Sequence, residues 1–170
     1  PMRSLAEVGS ITTGSTPPTN EPAFYDGEYM FVAPGDITGV RYVTSSEKTL
    51  TREGFERSRR LPKGSVLFVC IGSTIGKVGQ AAAECCTNQQ INAITAQAGF
   101  SNDFIYSLLE KHGPAISALA GEQAVPMLNK TDFARLKYRI PTLPEQQKIA
   151  AFLGAVDRKI QQLKRKQALL

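Results

Sequence analysis

The sequence predicts a mixed α/β (α+β) domain followed by a long C-terminal α-helix that forms a coiled coil. Two observations lead to this. Up to residue 143, short β-branched and aromatic runs mix irregularly with turn signals and helical spacings, without regular βαβ alternation. From Pro144 onward Gly154 is the only glycine, no further proline occurs, and apolar residues recur at spacings of four and three.

In the first part, strands are expected at Tyr29–Ala33, Val40–Thr44, Ser65–Ile71, Ile91–Gln97 and Leu136–Ile140, each bounded by Gly, Pro, Asn or Asp. Several stay apolar for four or more residues, so they are expected to be buried on both faces. Thr51 is a good N-cap for a helical turn reaching Arg57. Ser101 caps a longer helix that stacks Phe104 on Leu108 and Ile105 on Leu109. Gly113-Pro114 is expected to end that helix, with a second short one at Ala115–Ala120. Ile71-Gly72-Ser73-Thr74-Ile75-Gly76-Lys77 reads as a tight strand–turn–strand, with glycines where φ must be positive.

The second part begins with Pro141-Thr142-Leu143-Pro144-Glu145. Thr142 and Glu145 have capping-box spacing, and Pro144 falls in the first turn, where its missing N–H does no harm. Ile149, Leu153, Val156, Ile160, Leu163, Gln167 and Leu170 then form a heptad seam. A lone amphipathic helix cannot hide such a seam. It either folds back on its own domain or pairs with a second helix. The pattern reaches Leu170 without a stop signal, so the natural helix is expected to continue. The expected division is a domain at 1–143 and a helix at 144–170.

The 170 residues carry a net charge of +5. Residues 1–143 hold 14 Lys/Arg and 13 Asp/Glu, whereas 144–170 hold 6 and 2, so the first part is nearly neutral and the excess lies on the helix. Such charge permits nucleic acid without requiring it. No apolar run reaches the ~18 to 20 residues that cross a bilayer, and no signal peptide is recognisable, so a cytoplasmic protein is expected. Cys70, Cys85 and Cys86 make a poor disulfide framework, and with the single His112 they lack zinc-ligand spacing.

Catalytic signals are weak. The Gly72–Lys77 segment has three residues between its glycines, not four, and Val78 follows the lysine, so it is not a P-loop. Asp36 lacks a visible partner for acid–base work and reads as a turn residue. No catalytic residue and no metal ligand is assigned. Candidate contacts to a ligand are instead polar. The turn presents Ser73, Thr74 and Lys77. Asn88, Gln89 and Gln90 precede a strand; such amides pair with adenine or satisfy loop backbone, and alternation puts only some on one face. Thr13, Ser15 and Thr16 lie in a loop suited to phosphate, or to no ligand at all. Arg59 and Arg60 belong to a basic run that is either a phosphate track or a solvated face.

Taken together, these segments resemble type I restriction–modification specificity subunits. Leu5-Ala6-Glu7-Val8 leading to Thr13-Gly14-Ser15-Thr16-Pro17 resembles the opening of their target recognition domains. Gly35-Asp36, Leu61-Pro62-Lys63-Gly64-Ser65-Val66-Leu67, Ile71–Lys77, Thr87–Ile94 and Pro126-Met127-Leu128-Asn129-Lys130 follow in the family's order. Ile140–Ala150 resembles the start of its conserved helical spacer. The usual preceding Trp and a second recognition domain are missing.

The resemblance implies a non-catalytic DNA-binding subunit. One recognition domain reads half of a bipartite site on double-stranded DNA, and the helix sets the spacing to the other half. That other half would come from the same chain or from homodimerisation through the helix. Modification (methyltransferase) subunits with S-adenosylmethionine, and a restriction subunit with ATP and Mg, would be the partners, leaving no cofactor on this chain. The rival expectation is a protein-interaction adaptor that docks through the helix and touches no DNA.

Overall fold

The computed structural model describes residues 1–120 and 126–167. The chain starts with β1 (Met2–Ser4), α1 (Leu5–Val8) and β2 (Gly9–Thr13), passes a 3-10 turn, and continues through β3 (Tyr25–Val32), β4 (Tyr42–Val43) and β5 (Lys48–Leu50). Then follow α2 (Arg52–Glu56), β6 (Val66–Val69), β7 (Val78–Ala81), β8 (Cys85–Thr87), β9 (Ile91–Ala96), α3 (Asn102–Leu119), α4 (Lys130–Arg135), β10 (Lys137–Arg139) and α5 (Leu143–Gln167). The mixed α/β class and the long terminal helix are as the sequence predicts.

Among the described residues the strands form a five-stranded sheet in the order β2-β9-β6-β7-β4, a three-stranded sheet β5-β3-β8, and a ribbon β1-β10. The large sheet is antiparallel except where β4 joins β7. Strand β6 is buried along its length, as its unbroken apolar run requires. Val66, Phe68 and Cys70 face a core shared with Ile94, Phe104, Ile105, Leu109, Ile116 and Phe133. Leu67 and Val69 point the other way, into a second core with Val32, Ile37, Leu61, Cys85 and Ile91. Helices thus cover one face of the large sheet, and the small sheet covers the other.

Local capping follows the sequence closely. Thr51 accepts from Gly54 N at 3.3 Å and opens α2, and Ser101 accepts from Phe104 N at 3.3 Å and opens α3. At α5 the Glu145 carboxylate accepts from Thr142 N and Oγ1 at 2.8 and 2.6 Å. These bonds, the hydroxyl's first, pull the Glu145 carboxyl below its ordinary range. Ser4 and Glu7 repeat the device at α1, where bonds from Ser4 hold Glu7 down to about 2.

Several expectations need correction. Gly113-Pro114 does not end a helix: α3 runs through it to Leu119, so no separate helix starts at Ala115. An internal proline costs a helix ~3 kcal/mol. Here the exposed Pro114 is offset by tertiary contact, because Ile116 is buried in the core and Gly113 lies against the β6–β7 turn. The strand expected at Val40–Thr44 shrinks to two residues, since Gly39 has φ of +87° and Val40 is exposed. β3 starts earlier than Tyr29, through a register shift at Asp26, whose φ is +60°.

The Gly113–Gly76 contact sets two effects against each other. Alanine at 113 should gain ~1 kcal/mol of helix propensity. Its Cβ would fall 2.5 Å from the Gly76 carbonyl oxygen, which is backbone and cannot step aside. Overpacking of that kind costs ~1 to 3 kcal/mol. Gly113→Ala is therefore expected to lower the urea midpoint; a raised midpoint would show that the contact is loose.

Candidate nucleic-acid interface

Antiparallel register brings three separate turns to one end of the large sheet. Thr13, the last residue of β2, pairs with Asn92 near the start of β9, while Ile91 pairs with Val69 at the end of β6. The loop after β2, the turn before β9 and the β6–β7 turn must therefore emerge side by side.

The first two are in close contact. Gly14 N donates to Ile91 O at 3.0 Å and Ser15 N to Thr87 O at 2.9 Å. A Cβ on Gly14 would overlap the carbonyl oxygens of both Thr87 and Asn88, so only glycine allows this approach. Thr87 Oγ1, buried against the same spot, has no hydrogen-bond partner among the described residues. Thr13 Oγ1 donates to Asn92 Oδ1 at 2.6 Å, and Asn92 Nδ2 to Cys70 Sγ at 3.1 Å, so the buried Asn92 is a structural strut.

The amide triplet divides. Asn88 Nδ2 donates to Gln90 Oε1 at 3.0 Å, and Asn88 Oδ1 accepts from Gln90 N at 3.1 Å. Gln90 Nε2 reaches Ile71 O at 3.4 Å, tying this turn to the β6–β7 turn. Asn88 and Gln90 are thus engaged in shaping the loops. Gln89 is exposed and accepts from Thr16 Oγ1 at 2.6 Å through Oε1. Arg59 clamps the first loop from a third direction: its N donates to Ser15 Oγ at 3.2 Å and its Nη1 to Thr13 O at 2.9 Å. Arg60 instead lies over the Phe55 ring, 6.0 Å from its centroid.

In the β6–β7 turn, Gly72 and Gly76 have φ of +97° and +94°. Ile75 N donates to Gly72 O and Lys77 N to Thr74 O, giving a tight reversal that leaves Ser73 and Lys77 exposed and Thr74 half-buried. The three turns and the segment after α2 therefore present Thr16, Gln89, Ser73, Lys77 and Arg59, a mixture of hydroxyl, amide and cation that suits base edges and phosphates.

Two neighbours were not visible in the sequence. A cavity of about 250 Å³ adjoins Thr16 and Asn88 and is lined also by Gly35 and Lys48. Asp36 at its wall accepts from Ala33 N and Glu47 N, both at 2.8 Å, as a turn former does. No local motif marks Lys48; it arrives through the β3–β5 pairing. A roomier cleft, of about 700 Å³, lies elsewhere, between α1 and α4, lined by Ser4, Glu7, Lys130, Arg135 and Lys137. Reading DNA needs projecting groups more than depth, so the loop end remains the candidate.

The thiols are unsuited to chemistry. Burial pushes Cys70 up to about 11 and Cys85 and Cys86 up to about 12, so none forms a thiolate near neutrality. His112 packs at a tilt against Tyr138, with ring centroids 4.8 Å apart. Among the described residues no three His, Cys, Asp or Glu side chains gather to hold a metal, and no helix is long and apolar enough to cross a membrane.

Helix α5 has two distinct apolar faces. Gln146, Ala150 and Gly154 are buried, and the Gln146 side chain bonds Ser101 N and Pro141 O, both at 2.9 Å. Roughly a quarter turn away, Ile149, Leu153, Val156, Ile160 and Leu163 are 38 to 55% exposed. The domain therefore packs α5 without covering its seam. Phe152, unnoticed in the heptad reading, is 70% exposed beside it. Leu170 lies outside the described residues.

Comparison with known proteins gives a consistent result. Over 99% of its length the chain is 25% identical to the type I restriction enzyme MjaIX specificity subunit of Methanocaldococcus jannaschii, covering 40% of that protein. Over 83% of its length it is 26% identical to the HindI specificity subunit of Haemophilus influenzae, covering 32% of it. The chain thus spans well under half of these relatives. Its fold is similar to the HsdS subunit from Thermoanaerobacter tengcongensis (TM-score 0.76, 22% identity, covering 98% of this chain and 39% of that one). It is also similar to the S subunit from M. genitalium (TM-score 0.70, 17% identity, covering 97% and 41%). The family model for the type I restriction modification DNA specificity domain matches residues 2–170, and the chain belongs to that family.

Proposed function

We propose that residues 1–143 read one half of a bipartite site on double-stranded DNA, and that residues 144–170 are a spacer helix that docks the partners. The partners are modification subunits, a restriction subunit, and a second recognition domain from the same chain or a second copy. As a specificity domain the chain supplies no catalysis; S-adenosylmethionine, ATP and Mg belong to the partners, and the assembly works in the cytoplasm.

The observation that carries this reading is the convergence of three turns at one sheet end, locked by the Thr16–Gln89 bond and the Arg59 clamp. A rigid platform of this kind can hold donors and acceptors against base edges, at ~1 to 3 kcal/mol for each bidentate pair. The exposed seam supports the docking half of the reading: an apolar stripe of this length in water calls for a second helix.

The test is site-directed methylation by the specificity subunit carrying this chain, assembled with its modification subunits. Lys77→Ala with Gln89→Ala is expected to lower methylation of the cognate sequence at least tenfold, since each ~1.4 kcal/mol lost is a factor of ten. Both side chains are exposed, so folding should not change. An unchanged rate and sequence would favour the adaptor reading. Leu163→Asp is expected to abolish docking while leaving the circular-dichroism spectrum and melting of the remainder intact, because Leu163 touches no core. Unaltered particle mass by light scattering, with modification subunits still captured, would remove the seam from the account.

A further inference from the structure

Near the point where α5 leaves the domain, one arginine joins three elements. Arg41 immediately precedes β4, and its side chain is 12% exposed. Its Nε donates to Gln80 Oε1 on β7 at 2.8 Å, and its Nη2 to Asp103 Oδ1 on the first turn of α3 at 2.6 Å. Gln80 Nε2 donates to the same Asp103 oxygen at 2.9 Å, closing the network. The guanidinium also packs on the rings of Tyr42 and Tyr106, with centroids 4.9 and 4.8 Å away. Its Nη1 faces α5: it and the Arg158 Nη1 of α5 itself both lie 3.5 Å from where a Cβ on Gly154 would stand. Beyond Asp157, residues 158–167 are all exposed.

We infer that Arg41 is a positioning residue that fixes the angle at which α5 leaves the reading domain. The inference rests on the function proposed above only for its consequence, the spacing between half-sites. Gln146 and Ala150 hold the helix near its start, which fixes one point. Arg41, packed where Gly154 leaves room one turn past Ala150, supplies the second point, and two points set a direction. The leverage is large. At 1.5 Å per residue the helix projects roughly 20 Å past Gly154, so a 10° swing moves its tip by about 3.5 Å. That equals about one base-pair step of DNA, roughly 3.4 Å. Asp103 is half exposed, so the ion pair itself adds little stability. What the planar fork supplies is geometry, which a lysine ammonium cannot reproduce.

Spin labels at Ser10→Cys on β2 and Gln162→Cys on α5, both exposed sites, measure the angle as a distance. The native thiols are buried and do not compete. Labelled chain diluted into excess unlabelled chain reports only the pair within one molecule. Arg41→Met and Arg41→Lys are expected to at least double the width of the distance distribution while melting within a few degrees of the parent. Gly154→Leu, with Arg41 intact, is expected to shift the mean by several ångströms. If the Arg41 variants remain folded and keep the parental width, or Gly154→Leu keeps the parental mean, the assignment is overturned. The assembled methyltransferase, assayed on targets with the spacer one base pair longer or shorter, then reads the consequence: Arg41→Met should discriminate less among spacers. Broadened distances with unchanged discrimination would leave Arg41 as the positioning residue and refute the ruler role proposed for the helix.

Discussion

The register of β2 against β9 is the constraint on which the proposed recognition end depends. With Thr13 opposite Asn92, the loop after β2 leaves the sheet directly over the turn that precedes β9. A slip of one residue would turn every side chain of β2 to the other face. It would also take Thr13 from Asn92 and move Gly14 off Thr87 and Asn88. The register is secured from both sides: Asn92 is held by Cys70 from the neighbouring strand, and Ile94, in the same strand, is buried in the helix-covered core. Loops that carry polar contacts are thus positioned by a mainly apolar core and its buried Asn92 strut, an arrangement in which loops can change while the scaffold holds.

How legible this was depended on the range of the contacts. Doubly buried β6 was plain from its apolar run, and the caps at Thr51, Ser101 and Thr142 were plain because each is a bond between residues three or four apart. What failed was non-local. Pro114 looked like a terminator until Gly113 was seen against Gly76, a contact across more than thirty residues. Strands β1 and β8 are three residues long and owe their state to partners elsewhere, β10 and β3. The site followed the same rule. The sequence singled out the amides at 88–90 and the hydroxyls at 13–16, yet not that Asn88 and Gln90 would bond each other and leave Gln89 outward. Nor could it bring Lys48 beside Thr16, since that proximity passes through a sheet the sequence does not announce.

Helix α5 reconciles two demands that usually conflict. A helix rigidly attached to a domain must bury a face on it, and a helix that recruits a partner must keep a face open. The solution is two adjacent stripes. One is built from Gln146, Ala150 and Gly154, small or hydrogen-bonded groups that allow close approach to α3 and Arg41. The other is built from larger aliphatic residues that remain in water. The heptad reading found the second stripe and posed a choice between folding back and pairing outward. The helix buries a different stripe on the domain and leaves the seam between Ile149 and Leu163 open, so folding back does not hide it.

Charge gives the arrangement its sense of scale. The domain is almost neutral, and the cations near the loop end, such as Arg59 and Lys77, are few. Counterion release from so few phosphate contacts yields weak binding at physiological salt. A reader of the kind proposed would not hold DNA tightly by itself, which would favour discrimination: a small non-specific term leaves the base contacts a larger share of the binding energy. On the proposed function, affinity would come from joining two readers, because linkage turns the second half-site into an intramolecular event. That gain exists only when both readers meet their half-sites together. It would therefore depend on how firmly each domain holds its helix, which would make the buried stripe of α5 as important to the proposed recognition as the loops.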